Sequence, residues 1–494
     1  MSTIATQPAS AADLPAAGHP RGLYVLFGAE MWERFSYYGM RALLVLYLIY
    51  HLKWAEVDAR ALYATYTGLV YLTPLIGGYL ADNLLGQRKA ILIGGTVMAL
   101  GHFAMAFESQ LYLALSLLVL GNGFFKPNIS TMVGNLYPQG DARRDGAYTI
   151  FYIGINIGAF VAPLACGYLA ETEGYGYHFG FGLAGIGMVL GLLSFLFFQN
   201  QLVGGFGPGN TLGRLTLGDG VQVILASLIC VGLAYGFGLA WPTIQPYIRY
   251  AIPAVLLAYL GGMGYVFAQV GRTSDPEGRA DWQRLGVILV VGLFSIVFWM
   301  GFEQAGSTLN IFAKEKTDRT LGGWFGREFP ASWLQAVNSL FILTLAPLFS
   351  ILWARLDRTR YQLSSPAKMG LGILFLGLGF VVMTGAQAVL GGGGKVSPSW
   401  LIGFYFLATV GELCLSPIGL SLVNKLAPAR VASLMMALWF TCTAIANYLA
   451  GTLDTELERF HVPLFPFLIG ISIFSALILL ALAVPLKRMS HGRL

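Results

Sequence analysis

Glu30-Met31-Trp32-Glu33-Arg34-Phe35-Ser36-Tyr37-Tyr38-Gly39-Met40-Arg41 puts four formal charges inside a run otherwise apolar enough to cross a membrane. On a helix, at about 100° per residue, Glu30, Glu33, Arg34, Tyr37, Tyr38 and Arg41 fall on one face. The opposite face carries Trp32, Phe35, Gly39, Ala42 and Leu43. Such a helix shows lipid or packed neighbours to one side and a polar interior to the other. Carboxylates and guanidinia three and four residues apart pair along it and keep each other ionised until a proton or a ligand alters the balance.

The surrounding chain supplies the membrane setting. Of 494 residues, 56% are hydrophobic and 11% charged, with a mean hydropathy of +0.67, against about 25% charged in soluble domains. Apolar runs bounded by charges or Gly/Pro clusters predict fourteen spans, near 23–50, 61–81, 90–107, 111–133, 147–169, 180–199, 221–240, 248–270, 284–312, 332–353, 369–390, 399–424, 431–452 and 464–486. An even number puts both termini on one side. Eighteen Lys/Arg fall on that side, from Arg21, Arg88, Lys89, Arg143, Arg144 and Arg214 through Arg272 and Arg430 to Arg493. Nine, including Lys53, Arg60, Arg249, Lys314, Arg327, Lys395 and Arg459, fall on the other. The excess predicts cytoplasmic termini. The three left over, Arg34, Arg41 and Lys126, lie within spans, where ionisable groups are expected to be functional. Positions 1 to 20 show no apolar core, so no cleavable leader is expected. The net charge of +6 is scattered over short loops, which argues for topology rather than nucleic-acid binding. Cys166, Cys230, Cys414 and Cys442 sit in apolar runs without paired spacing, so packing is expected of them rather than a disulfide or a metal site.

The predicted fold class is an all-α polytopic membrane protein of two six-helix bundles with two additional helices. Residues 1–200 form the first bundle, 201–283 a linker carrying the extra pair, and 284–494 the second bundle. Gly/Pro-rich Gln201 to Gly220 and polar Arg272 to Arg284 bracket the extra pair. With no acid in its apolar runs, that pair reads as a lipid-facing hairpin. A weak repeat supports the two halves. Gly78-Tyr-Leu-Ala-Asp82-Asn-Leu-Leu-Gly86-Gln-Arg88-Lys89 follows the second span, and Ala354-Arg355-Leu-Asp357-Arg358 follows its counterpart. Parallel halves imply a midplane site between them and alternating access by rocking.

Lys126, in Gly121-Asn-Gly-Phe-Phe-Lys126-Pro127-Asn128, is an isolated ammonium late in the fourth span. It reads either as a lysine snorkelling to the interface or as a buried functional group, with Gly121 and Gly123 admitting a close neighbour and Pro127 removing a backbone donor. Asn156, in Phe151-Tyr152-Ile-Gly-Ile-Asn156-Ile-Gly158, offers donor and acceptor to a substrate amide or an interhelical bond. Tyr71, in Tyr71-Leu-Thr-Pro74, reads as a cavity phenol or as one more interhelical tie. Glu303, in Phe298-Trp299-Met-Gly-Phe-Glu303-Gln304, and Glu412, in Gly411-Glu412-Leu-Cys-Leu-Ser416-Pro417, each lie more than two helical turns from a basic residue. Their partners must therefore come from other helices.

The run Glu30-x-x-Glu33-Arg34-Phe35-x-Tyr37-Tyr38-Gly39 resembles the first-helix signature of the proton-dependent oligopeptide transporters, a branch of the major facilitator superfamily. The Lys126 and Asn156 runs are similar to further signatures of that family, and twelve plus two spans match its bacterial members. The resemblance implies that Lys126 faces the first-helix carboxylates and the substrate carboxylate, and that Glu30, Glu33, Arg34, Lys126 and Glu303 couple to protons. It further implies that Glu303 pairs with Arg41 and that Glu412 receives a peptide amino terminus; because Arg41 and Glu303 come from opposite halves, their pairing is expected to gate the extracellular side. Tyr37, Tyr38, Arg41, Tyr71, Lys126, Asn156, Trp299, Asn338, Glu412 and Trp439 would contact substrate. Packing or interhelical bonding remains the alternative for Asn338 and Trp439. Ala64 stands where animal members have a histidine.

Four intramembrane carboxylates against three cations leave one net negative charge, so a single proton neutralises the set. Opposite charged poles, Glu412 in one half and Lys126 with Arg41 in the other, suit a zwitterion. Metalloprotease, hydrolase and phosphate-loop motifs are missing from the sequence, so an enzyme is not expected. The expected function is proton-coupled import of di- and tripeptides across a bacterial inner membrane. Its partners are small peptides, protons and the lipid bilayer, with no cofactor, and the protein acts as a monomer. A carrier of nitrate-like or other small organic anions is the alternative, against which Glu412 argues.

Overall fold

In lipid, a chain satisfies its backbone polar groups internally only as helices or as a closed barrel. The computed structural model describes residues 18–138, 141, 143–202, 217–244, 247, 250–271, 276–320, 328–360, 362–428 and 431–493. The sequence features at 1–17, most of the Gln201 to Gly220 stretch, and Arg214, Arg249, Arg272, Arg327 and Arg430 lie outside the described residues. Among those described, sixteen α-helices make fourteen spans. In the first part of the chain they are α1 (Arg21–Leu46), α2 (Glu56–Leu72), α3 (Pro74–Leu80), α4 (Gln87–Ala104), α5 (Leu111–Asn135), α6 (Arg143–Glu171) and α7 (Tyr177–Phe197). Then come α8 (Leu217–Ile244), α9 (Ala251–Val270), α10 (Pro276–Phe302), α11 (Thr308–Glu315), α12 (Ala336–Leu356), α13 (Ser365–Leu390), α14 (Ser399–Leu426), α15 (Ala432–Glu458) and α16 (Leu464–Met489). A single parallel β-bridge, Thr317 to Val396, is the only extended pairing among the described residues.

Two spans are each built from two helices. Pro74 opens α3 after Thr73, and the Thr73 hydroxyl donates to the carbonyls of Leu69 (3.1 Å) and of Val119 on α5 (2.9 Å). The ninth span leaves α10 for a 3₁₀ turn, Glu303–Gly306, passes Ser307 at φ −118° and ψ −97°, and resumes as α11. Glu303, expected within a continuous span, thus stands at a helix break. The second bundle's first helix starts at Pro276, ahead of the apolar run expected from 284.

Helix α1 is the axis of the first bundle, packed between α6 and α7. A Cβ at Gly158 of α6 would lie 2.2 Å from the Met31 carbonyl oxygen, so only glycine permits this backbone approach. Gly187 and Gly191 of α7 take Phe35 and Trp32. The apolar face of α1 therefore meets packed neighbours rather than lipid. In the second group, α13 packs between α14 and α16, while α10 packs on α15 and α16. The two groups meet where α2 lies on α15 and α6 on α12. All four cysteines are buried and free.

The extra pair departs from the hairpin expectation. Helix α8 packs on α4 and α5, where Cys230 and Ala234 bury against Ile93, Val97 and Leu117. Helix α9 packs instead on α10 and α15. Outward residues such as Ile224 and Leu228 are exposed, as lipid-facing side chains would be. Each extra helix has found complementary apolar surface on a different bundle, which outweighs pairing with its neighbour in sequence.

Candidate functional site

The charged face of α1 is buried in full. Glu30 and Glu33 have no exposed surface, and Arg34 and Arg41 have 6% and 7%. Arg34 binds Glu33 through both Nε and Nη2, the latter at 2.6 Å, and lies 3.3 Å from Glu30 Oε1. Lys126 reaches across from α5 and donates to Glu30 Oε1. The close approach that Gly121 and Gly123 allow is present, since a Cβ on Gly121 would meet the Gly94 carbonyl of α4 and one on Gly123 would meet Thr73. Pro127 lies inside α5, and Lys126 makes its ion pair within the bundle instead of reaching out to the interface. Four charges thus share one low-dielectric site with equal numbers of each sign, an arrangement that avoids leaving an ion uncompensated. The Tyr37 ring lies 5.0 Å from the Arg34 guanidinium, and the Tyr38 ring lies between Arg34 at 6.0 Å and Arg41 at 5.8 Å.

Two turns further along α1, Arg41 leaves this cluster. Its Nη2 pairs with Glu303 at the break of the ninth span, and its Nε donates to the Tyr63 hydroxyl of α2 at 2.8 Å. The 3₁₀ turn carries Glu303 out of helical register and toward the first bundle. Tyr63 is a site residue that the sequence did not single out. It is 1% exposed, and its ring fits where Gly306 has no side chain.

A cavity lies next to Arg41 at the seam. Tyr38, Arg41, Ala159 and Pro163 line it from the first bundle, and Phe302, Ala305, Gln335, Asn338, Ser339, Phe404 and Tyr405 from the second. Asn338 of α12 donates from Nδ2 to Thr409 Oγ1 (2.9 Å) and to Glu412 Oε2 (3.1 Å), both on α14. Among the described residues Glu412 has no ion pair. Trp299 stacks edge-on with Phe298 and Phe302, each at 5.3 Å, behind this wall. Asn156 is buried and donates one amide hydrogen to the Tyr152 carbonyl of its own helix at 2.9 Å. Tyr71 is half-buried at the end of α2. Trp439 lies in the second bundle with its ring against Gly419 of α14.

Further ties between the bundles gather near Arg41, at the end away from the chain termini. Arg60 of α2, placed in a loop by its position in sequence, is 4% exposed and pairs with Asp454 of α15 and with Glu56. Asn310 of α11 donates to the Ala42 carbonyl of α1 at 2.8 Å. Their signal in the sequence was one acid, Asp454, just beyond an apolar run, which has meaning only once α2 and α15 are known to touch.

Two helical bundles enclosing a charged cavity at their seam define a secondary transporter of the major facilitator type. The sequence profile of the POT family matches residues 88–212 and 258–466. A peptide transporter of Yersinia enterocolitica subsp. palearctica serotype O:3 is 38% identical over 96% of both chains. A di-/tripeptide transporter of Lactococcus lactis subsp. cremoris is 37% identical over 86% of both. A crystal structure of a peptide transporter POT in complex with sulfate superposes with a TM-score of 0.81 at 36% identity, covering 97% of this chain and 98% of that one. The chain belongs to the POT family.

Proposed function

We propose that this protein imports di- and tripeptides together with protons by alternating access, with both termini in the cytoplasm of a bacterial cell and the monomer as the working unit. The observation that carries this reading is the asymmetry of the site. Among the described residues Glu412 sits on one bundle without a cation, while the cations Arg34, Arg41 and Lys126 all belong to the other. A zwitterionic peptide lying across the seam would bring an ammonium to Glu412 and a carboxylate toward Lys126 and Arg41. The cavity wall of Tyr38, Asn338 and neighbouring aromatic rings would hold its backbone and side chains, with Tyr37, Tyr71, Asn156, Trp299 and Trp439 in reach or in support. Peptide transport by relatives of similar length supports the same substrate class.

Coupling follows from the Glu30–Glu33–Arg34–Lys126 cluster. Protonating Glu30 or Glu33 releases a cation, and a substrate carboxylate arriving at Lys126 competes for the ammonium that Glu30 holds. The ties at Arg41–Glu303 and Arg60–Asp454 would close the extracellular side. Protonating Glu303 would loosen that closure. The test is uptake into proteoliposomes. Dipeptide should accumulate under an inward proton gradient, and accumulation that survives a protonophore unchanged overturns the coupling.

A further inference from the structure

We infer that Glu171, the last residue of α6, is a further latch on the extracellular side, working by capping a helix start that belongs to the opposite bundle. This rests on the alternating-access reading above and adds to it a residue outside the substrate cavity.

The segment Ala331–Gln335 enters α12 as a 3₁₀ turn, and its own preceding residue, Pro330, has no side-chain oxygen with which to cap it. The first N–H groups of a helix have no partner within it. Glu171 supplies the partner from the other bundle. The Ala331 N–H donates to Oε2 at 3.1 Å, the Ser332 N–H donates to Oε1 at 3.0 Å, and Lys314 of α11 donates to Oε2 at 2.9 Å. The Glu171 side chain is 2% exposed. Two earlier turns of α6 meet the same segment. A Cβ on Gly167 would lie 2.0 Å from Ser332 Oγ, and the Trp333 indole N–H donates to the Leu164 carbonyl at 3.0 Å. Residues 164, 167 and 171 thus form one stripe along α6 that reads the start of α12.

Opening the extracellular side separates α6 from α12. That motion uncovers the two N–H groups, strips Lys314 of its counter-charge and leaves Glu171 without its three donors. Hydrogen bonds to charged groups are individually strong, so the latch holds the outward side shut whatever the protonation of the cavity. The Arg41–Glu303 pair reports on proton and substrate, whereas the Glu171 contact sets the threshold against which they act.

The test places spin labels at Glu173→Cys and Gly392→Cys, two exposed positions on this end of opposite bundles, in a background lacking the four native cysteines. Distances are compared at acidic and neutral pH with and without dipeptide. Glu171→Ala should raise the ratio of long to short distances by roughly tenfold or more. Lys314→Gln, which removes the ion pair and keeps both N–H bonds, should give a smaller shift. Dipeptide binding should persist in both. A distance distribution in Glu171→Ala and Lys314→Gln identical to that of the parent overturns the latch. If the parent itself shows one distance under every condition, alternating access fails instead. Should Glu171→Ala not fold, Lys314→Gln and Gly167→Ala carry the test, since each perturbs the same contact and either a widened or an unchanged distribution decides it. A role confined to fold stability would lower the melting temperature with no change in the distances.

Discussion

The acids of α1 and the acid of α14 differ in one respect that matters for chemistry. Glu30 and Glu33 are held by Arg34 and Lys126 in a cluster closed on itself. Among the described residues Glu412 has one neutral amide, Asn338, and no cation. Burial is similar for all three, so the distinction is partnership rather than exposure. A paired set has two stable arrangements, bound to itself or opened by a proton or a ligand, which is what a switch needs. A solitary buried carboxylate has one unmet requirement, a positive charge, which is what a recognition site needs. Arg41–Glu303 stands between the two: a pair, but one whose members come from different bundles.

Removing one member of the closed set should have the largest effect. Losing one partner of a buried ion pair costs about 3–5 kcal/mol. Lys126→Ala or Glu33→Gln should therefore cut gradient-driven dipeptide uptake by roughly a hundredfold or more, with the folded protein still recovered. Uptake at the parent rate in both variants would dispose of the cluster as a coupling device.

Glu412 tests the other side. Glu412→Gln removes charge-assisted hydrogen bonds worth about 1.5–3 kcal/mol, so binding of a free dipeptide should weaken roughly ten- to a hundredfold. The same dipeptide acetylated at its amino group brings no charge to neutralise and should lose much less. Competition binding of both ligands against both proteins decides it. Equal losses would assign Glu412 to the structure of the site, with the amino-terminal pocket elsewhere.

The smallest of the three effects is expected for the pair that joins the bundles, because Arg60–Asp454 and the Asn310 contact with Ala42 remain when it is cut. Glu303→Gln should widen the extracellular separation of α1 and α11 in a minority of molecules, a shift of roughly tenfold or less in the ratio of open to closed forms. Distance measurements between labels at those helix ends check this. An unaltered distribution would leave the pair without a gating role.

Much of this was legible because α1 carries its meaning locally. Charge spacing on a single helix fixes which groups share a face, and Gly121 and Gly123 beside Lys126 announce close neighbours before those neighbours are known. The fourteen spans follow from the same short-range logic. What escaped was set by distant contact. Tyr63, Arg60 and Glu171 are ordinary residues in sequence and acquire roles only through Arg41, Asp454 and the start of α12. The break at Glu303 was hidden because residues 303–306 lack the proline that marks Pro74, so no local signal contradicts a straight helix. The separate docking of α8 and α9 could not be read from their composition, since a lipid-facing and a bundle-facing apolar helix look alike.

That separate docking also sets a mechanical bound. Helix α8 is anchored to α4 and α5, with Trp241 stacked 5.2 Å from Tyr112, and α9 is anchored to α10 and α15, with Gly262 against Leu438. Ile244 and Ala251, the facing ends of the two helices, are seven peptide steps apart in sequence, and a fully extended chain spans at most about 25 Å over that interval. The connection is a leash of fixed length between two moving bodies. Once it is taut, any further spread of the bundles at that end must peel one of the two helices from its bed. The amplitude of the transport stroke therefore has a ceiling written in covalent bonds, independent of ligand, proton or salt bridge.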